Sequence, residues 1–292
     1  MKVLITGPSG FLGRNVADIL LKLGVTVYGF DKRVNARLSE KGVHYIEGDL
    51  TDFNKITKAV KGMDVVVHLA AATTAIDKKT NYVVNVLGTK NVVNACKNAG
   101  VKKIIFISSV NATLRQKSFY GKSKQIAEKV VALSNLDYVI FRPELIYGKG
   151  DRGLSKTISL IKSLPVIPIL GDGYAEMQPI YVEDLAKIIV IATMKKVKKG
   201  IYFAGGPDCF SFNGYINRIC KELNIKKRKI HVPYLLIISI AKILSKLMNK
   251  PPVSLEQVYS MNQHKSGSIK SLKNNFEIKL TRFEDGLRET LS

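Results

Sequence analysis

The chain has 292 residues, with 46 basic and 23 acidic side chains and a formal net charge of +23. Apolar residues make up 46 % of it, enough for a sizeable core, which excludes wholesale disorder, and the length suggests about two domains. Three cysteines (Cys96, Cys209, Cys220) without a C-x-x-C pair exclude a disulfide framework or a zinc module; no metal site is expected, and a reducing cytoplasm is the expected location.

The opening run, Met1 to Thr6, is too short for a signal peptide and leads directly into glycines. No apolar run of about 20 residues occurs, so no transmembrane segment is expected. The strongest candidate, Val232 to Met248, is interrupted by Lys242 and Lys246 and repeats Leu235, Ile238, Ala241, Leu244 and Leu247 at helical spacing. That spacing favours a core-facing helix over one on a membrane surface. The basic residues form only short clusters, Lys226 to Lys229 being the densest, and no nucleic-acid-binding motif accompanies them. Specific nucleic-acid binding is therefore not expected.

Taken in chain order, Lys2 to Thr6 reads as a strand, Phe11 to Leu23 as a helix and Thr26 to Asp31 as a strand. His44 to Glu47, Val65 to Leu69, Ile104 to Ser108 and Tyr138 to Arg142 continue the strands. Helical patterns at Asn54 to Val60, Asn81 to Ala99 and Tyr120 to Leu133 lie between them. Apolar strands alternating with helices indicate a doubly wound α/β fold, a parallel sheet of about seven strands covered on both faces. After Gly148 glycine and proline become frequent. Residues 1–148 therefore read as a dinucleotide-binding domain and 149–292 as a smaller substrate region, some of whose segments return to the main sheet.

Gly7, Gly10 and Gly13 form G-x-x-G-x-x-G between the first strand and the first helix. Glycines there permit a tight turn and let backbone N–H groups approach a pyrophosphate at the positive end of the helix. Asp31 ends the next strand, 18 residues beyond Gly13, where a carboxylate can accept hydrogen bonds from an adenosine ribose. It favours NAD, while the adjacent Lys32 and Arg33 leave NADP open. Asp49, in Gly48-Asp49-Leu50, either bonds an adenine amino group or caps the helix starting at Asp52. His68-Leu69-Ala70-Ala71 closes the fourth strand with residues small enough to leave room for a cofactor.

Tyr120 and Lys124 stand four residues apart on a helical pattern, hence on one face. A lysine ammonium and a nicotinamide cation would pull the phenol pKa from near 10 toward neutrality, making Tyr120 a proton donor or acceptor for a hydroxyl/ketone couple. Ser109, ending the preceding strand, supplies a hydroxyl to orient the carbonyl, and Asn85 an amide to support the site.

With these motifs the chain resembles the extended short-chain dehydrogenase/reductases, the NAD-dependent epimerase/dehydratase family. Arg142-Pro143 through Tyr147-Gly148, Gly171-Asp172-Gly173 and Tyr181 to Ala186 extend the likeness. The resemblance implies a catalytic set of Ser109, Tyr120 and Lys124. It implies cofactor contacts from the glycine turn with Phe11 and Leu12, from Asp31, Asp49 and Leu50, and from Leu69, Ala70 and Ala71. Asn85, Tyr120, Lys124 and Pro143 complete them. It also implies a homodimer.

Three departures bear on substrate. Ser109 and Tyr120 are only 11 residues apart, and the short connector carries Arg115 and Lys117, which suggest an anionic substrate. Leu145 stands where sugar-nucleotide members often place an asparagine. Gln178-Pro179 follows the Gly-Asp-Gly turn where many carry an arginine. Val110 and Asn111 after the serine disfavour dehydration. A nucleotide-sugar epimerase or reductase leads on family frequency. A ketone reductase for a steroid-, flavonoid- or lipid-like substrate follows, and a cofactor-binding interaction protein is third.

Overall fold

The computed structural model describes residues 1–73, 77–248, 258 and 262–292. Seven strands form the main sheet: β1 (Lys2–Thr6), β2 (Thr26–Asp31), β3 (His44–Glu47), β4 (Val65–His68), β5 (Lys103–Ile107), β6 (Asp137–Pro143) and β11 (Gly200–Ala204). Their order is β11-β6-β5-β4-β1-β2-β3, with every neighbouring pair parallel. Val, Ile and Phe saturate the central strands because both faces are covered: all five residues of β5 and all four of β4 are buried.

Between and after these strands lie α1 (Phe11–Lys22), α2 (Ala36–Glu40), α3 (Phe53–Val60), α4 (Lys78–Thr80), α5 (Gly88–Ala99), α6 (Phe119–Ala132) and α7 (Arg152–Ser163). They are followed by α8 (Val182–Met194), α9 (Phe212–Glu222), α10 (Tyr234–Leu247), α11 (Lys270–Phe276) and α12 (Phe283–Leu291). α1 and α8 cover one face around Val16, Leu20, Leu185 and Ile189. α3, α5 and α6 cover the other around Ile56, Val92, Cys96, Ala127 and Val131. A third apolar cluster, centred on Tyr147, Tyr181, Phe210, Tyr215 and Phe283, joins α7, α9 and α12 beyond the C-terminal ends of the strands. Short pairs β7 (Ile146–Tyr147) with β10 (Ile180–Tyr181), β9 (Glu176–Met177) with β12 (Phe210–Ser211), and β8 (Ile167–Leu170) with β13 (Lys229–Val232) build this region. The chain therefore leaves the sheet after β6 and returns to it at β11.

Two elements depart from the sequence reading. The helix expected over 81–99 starts as a π-helical segment, Asn81–Leu87, before becoming α5. The α10 helix forms, yet of the five residues that suggested a core-facing stripe only Ala241 is buried, and Leu235 and Leu247 are each 76 % exposed. Apolar residues run almost all round this helix, so periodicity alone could not say which side the protein would cover.

Candidate active site

Gly7 adopts φ +73°, and a side-chain carbon there would come within 2.9 Å of Ala70 Cα. A Cβ on Gly13 would collide with the Gly7 carbonyl and stand 2.8 Å from Pro8 Cα. The turn is thus a cradle only glycine can line. At the entrance of α1, Gly10 offers no side-chain cap and the first turn holds no acidic residue. The free N–H groups and the helix dipole are therefore left for a phosphate.

Asp31 sits beside this turn, its Oδ2 accepting from Ser9 N at 3.2 Å and its Oδ1 from Lys32 N at 2.8 Å. Lys32 Nζ pairs with Asp49 Oδ2 at 2.7 Å. Partial burial opposes ionisation of Asp49, but the Lys32 ammonium and the Thr51 N–H together hold its carboxyl below its ordinary range. The helix cap is Asp52, whose side chain accepts from Lys55 N, so Asp49 is not needed for capping. Leu50 is buried against Gly88. Leu69 N and Ala70 N bond to the Thr6 carbonyl and hydroxyl, each at 3.2 Å, which presses the strand end carrying Ala70 and Ala71 against Gly7.

On the other side of the sheet's centre, Ser109 follows β5 and caps a short 3-10 turn, Val110–Ala112. Gly121, the residue after Tyr120, lies so near this turn that a Cβ would come within 2.5 Å of Asn111 O. The Ser109 side chain lies within hydrogen-bonding reach of the Tyr120 hydroxyl. Burial pushes the Tyr120 phenol up to about 12, with the Ser109 bond opposing only part of the rise. The protein's own groups therefore do not supply the lowered phenol pKa expected from the sequence.

Lys124 is 2 % exposed and its ammonium lies 4.3 Å from the Phe106 ring centroid. Burial brings its pKa down to about 7, with the Glu128 carboxylate opposing. Glu128 is itself held by Arg142 through two bonds of 2.8 and 2.7 Å. Pro143 ends β6 beside Ser109: Ile107 is in register with Phe141, and Ser108 N donates to Phe141 O.

Asn85 occupies the π-helical segment, a geometry that recurs at functional sites. Its Oδ1 accepts from Ala72 N at 2.8 Å, and its Nδ2 donates to Ser123 Oγ at 2.9 Å. Ser123 Oγ in turn donates to Tyr120 O. Thr89 donates to Asn85 O and joins His68, which reaches Thr6 on its other nitrogen. Burial first, then the Lys124 charge, drive the His68 pKa down to about 3 and keep it neutral. Asn85 thus ties Ala72, beyond the end of β4, to α6, the helix that carries Tyr120 and Lys124.

A segment the sequence did not single out crosses the site from the C-terminal side. Gln263 exchanges two hydrogen bonds with the Gln116 backbone, in the connector between Ser109 and Tyr120. Lys265 N donates to Glu176 O, and Gly267 N to Gln178 Oε1. Burial raises the Glu144 pKa and lowers that of Lys265, and each charge counters the other's shift. No local pattern marks these residues, because every partner lies far away in sequence. Arg115 is exposed and Lys117 half-buried in the same connector.

Whether the site fits a nicotinamide dinucleotide is tested by its unused groups. Besides the glycine cradle and uncapped helix, Ser108 Oγ and Asn111 Oδ1 are buried without a hydrogen-bond partner. Such orphans flanking Ser109 are what a bound polar ligand would satisfy, so the residues fit the group. A Rossmann sheet carries this glycine cradle at one place and Ser109, Tyr120 and Lys124 at another, an arrangement that a nicotinamide dinucleotide would fit.

The family comparison agrees. The model of the "NAD dependent epimerase/dehydratase family" matches residues 3–205, and the chain belongs to that family. It is 31 % identical over 208 residues to a 2-alkyl-3-oxoalkanoate reductase of Stenotrophomonas maltophilia, covering 64 % of this chain and 63 % of that protein. The match thus spans less than two thirds of that relative's length. A 3 beta-hydroxysteroid dehydrogenase/Delta 5-->4-isomerase of Mycobacterium tuberculosis is 28 % identical over 229 residues, covering 68 % of this chain and 62 % of that one. Among solved structures, UDP-glucose 4-epimerase of Thermus thermophilus in complex with NAD superposes with a TM-score of 0.78 at 23 % identity, covering 100 % and 98 % of the two chains. That likeness establishes the fold.

Proposed function

We propose that this protein is an NAD-dependent reductase, or in reverse a dehydrogenase, of a secondary alcohol/ketone carbon in a mainly apolar substrate. The reading draws on a small, mainly apolar cavity in the C-terminal region. The cavity beneath the 263–267 segment is lined by Leu170, Gly173, Ala175, Met177 and Phe212, with Gln263 and Lys265 as its polar members. Leu145, between Glu144 and β7, adds no polar group for a diphosphate. The relatives named for oxoalkanoate and hydroxysteroid substrates support the same choice over a nucleotide sugar.

Bound nicotinamide supplies a hydride donor or acceptor and, when oxidised, a positive charge. In the reducing direction Ser109 Oγ donates to the substrate carbonyl and holds it against Tyr120. Tyr120 Oη then passes its proton to that oxygen as the carbon is reduced. Lys124, buried one helical turn on, favours the phenolate left behind whenever its ammonium is charged. Asp31 accepts from the ribose hydroxyls and, with Lys32 committed to Asp49, selects NAD. A carboxylate on the substrate would meet Lys265, Arg115 and Lys117, and the active unit would be a homodimer.

The test is a substrate panel with NADH and NADPH: β-oxo esters and acids and steroid ketones against UDP- and dTDP-sugars. Oxidation of NADH by the apolar ketones, lost by about 100-fold or more in Tyr120→Phe, is expected. Interconversion of a nucleotide sugar without net cofactor consumption would refute the reading. Mass spectrometry of molecules released on denaturation gives an independent answer, since an exchanging reductase leaves the cell with little retained cofactor. Light scattering of the same sample reads the oligomeric state.

A further inference from the structure

The α10 helix presents a face that the other described residues leave exposed. Leu236, Ile240, Ile243 and Leu247 recur at i, i+4, i+7 and i+11, which places them in one stripe. They are 51, 46, 58 and 76 % exposed, and Leu235 beside them is 76 % exposed. The opposite side, with Ala241 at 2 %, rests on the protein. Monomeric proteins seldom leave such a contiguous patch to water unless something occupies it.

The charge around this stripe points to its occupant. The helix carries Lys242 and Lys246 and no acidic residue. It is preceded by Lys226, Lys227, Arg228 and Lys229, which border an open depression with Lys221. The chain as a whole bears +23. A second copy of so basic a chain would bring like charge against like. An anionic surface would be drawn to all of it. No helix among the described residues is long and apolar enough to cross a membrane, so α10 would lie on such a surface.

We propose that α10 is a docking face for an anionic phospholipid bilayer, with Leu235, Leu236, Ile240, Ile243 and Leu247 entering the headgroup–acyl boundary and the basic charge of the chain drawing them to the lipid phosphates. The placement joins lipid to the substrate side of the molecule. β13 runs directly into α10 through Pro233, and its partner β8 ends at Leu170, a wall of the apolar cavity. Docking would set that cavity beside the bilayer. The inference stands on the helix and its charge, independently of the substrate assigned above.

Flotation of the full chain with phosphatidylcholine vesicles, with and without phosphatidylglycerol, tests it. Binding to the anionic vesicles that weakens with added salt is expected. Leu236→Glu combined with Ile243→Glu lowers the partition coefficient by about 100-fold or more. Lys242→Glu lowers it by more than about fivefold. Turnover of a water-soluble substrate, unchanged in these variants, shows that the fold is intact. Failure to float with anionic vesicles, or equal flotation of the double variant, overturns the proposal. A dimer in light scattering that the double variant dissociates also overturns it, and assigns the face to a second copy.

Discussion

Replacing Lys124 by methionine separates what this residue does for chemistry from what it costs the fold. Its side chain is 2 % exposed, and burial takes its pKa from 10.5 to about 7. The folded state therefore binds fewer protons than the unfolded chain between those two values. Stability is penalised as pH falls through that window, and the full penalty, about 5 kcal/mol, is reached below pH 7. The Phe106 ring, 4.3 Å from the ammonium, returns about 1–2 kcal/mol of it. Lys124→Met fills a similar volume without a charge. It should raise unfolding stability by about 3 kcal/mol at slightly acid pH, with the gain shrinking toward zero near the pKa of a free lysine. Urea unfolding of both proteins across that range reads the difference, because groups that do not feel the Lys124 charge cancel and His68, which does, titrates well below the window. Turnover should fall by at least about 100-fold in the same variant. A stability difference that does not change with pH, or a variant less stable throughout, would refute the account of Lys124 as a buried ammonium kept for function.

Other consequences follow from the same contacts. Gly13→Ala forces a methyl into the Gly7 carbonyl and Pro8, so NADH affinity measured by fluorescence titration should drop at least about tenfold with most of the fold retained. Asn85→Ala strands Ala72 N and takes from Ser123 Oγ the bond it accepts, leaving the one it donates to Tyr120 O; a loss of about 2 kcal/mol in unfolding free energy is expected, with kcat falling more than KM rises. Glu128→Gln removes the partner of Arg142, costing about 3 kcal/mol. It also removes the carboxylate that opposes the fall in the Lys124 pKa, so the alkaline limb of the pH–rate profile that follows the Lys124 ammonium should move to lower pH.

The sheet was legible because its strands are buried on both sides and so are written as runs of Val and Ile between helical patterns. β1, β2 and β3 fall where the sequence places them, and β4 to β6 within a residue or so at each end. The glycine turn was legible because the requirement is steric at named positions: Gly7 for its φ and both Gly7 and Gly13 for their close approaches. The short Ser109–Tyr120 connector was visible as spacing. What it does is a tertiary fact, since Gly121 packs under Asn111 O with no room for a side chain.

Where the sequence reading fell short, the missing information was about neighbours rather than local propensity. The phenol pKa turned on burial around the Tyr120 hydroxyl, which no i, i+4 spacing reports. The Gln263–Gln116 clamp joins residues 147 apart, and such pairs leave no trace in a pattern read over a few turns. The α10 helix is the instructive case. Its apolar spacing satisfies a buried helix and a surface-lying one equally, and the two differ only in whether the protein supplies a second wall. Here the described residues do not, so the stripe takes its meaning together with the basic residues near it in sequence. The excess of lysine, which as composition alone distinguished nothing, gains meaning once a part of it lies beside an uncovered apolar face.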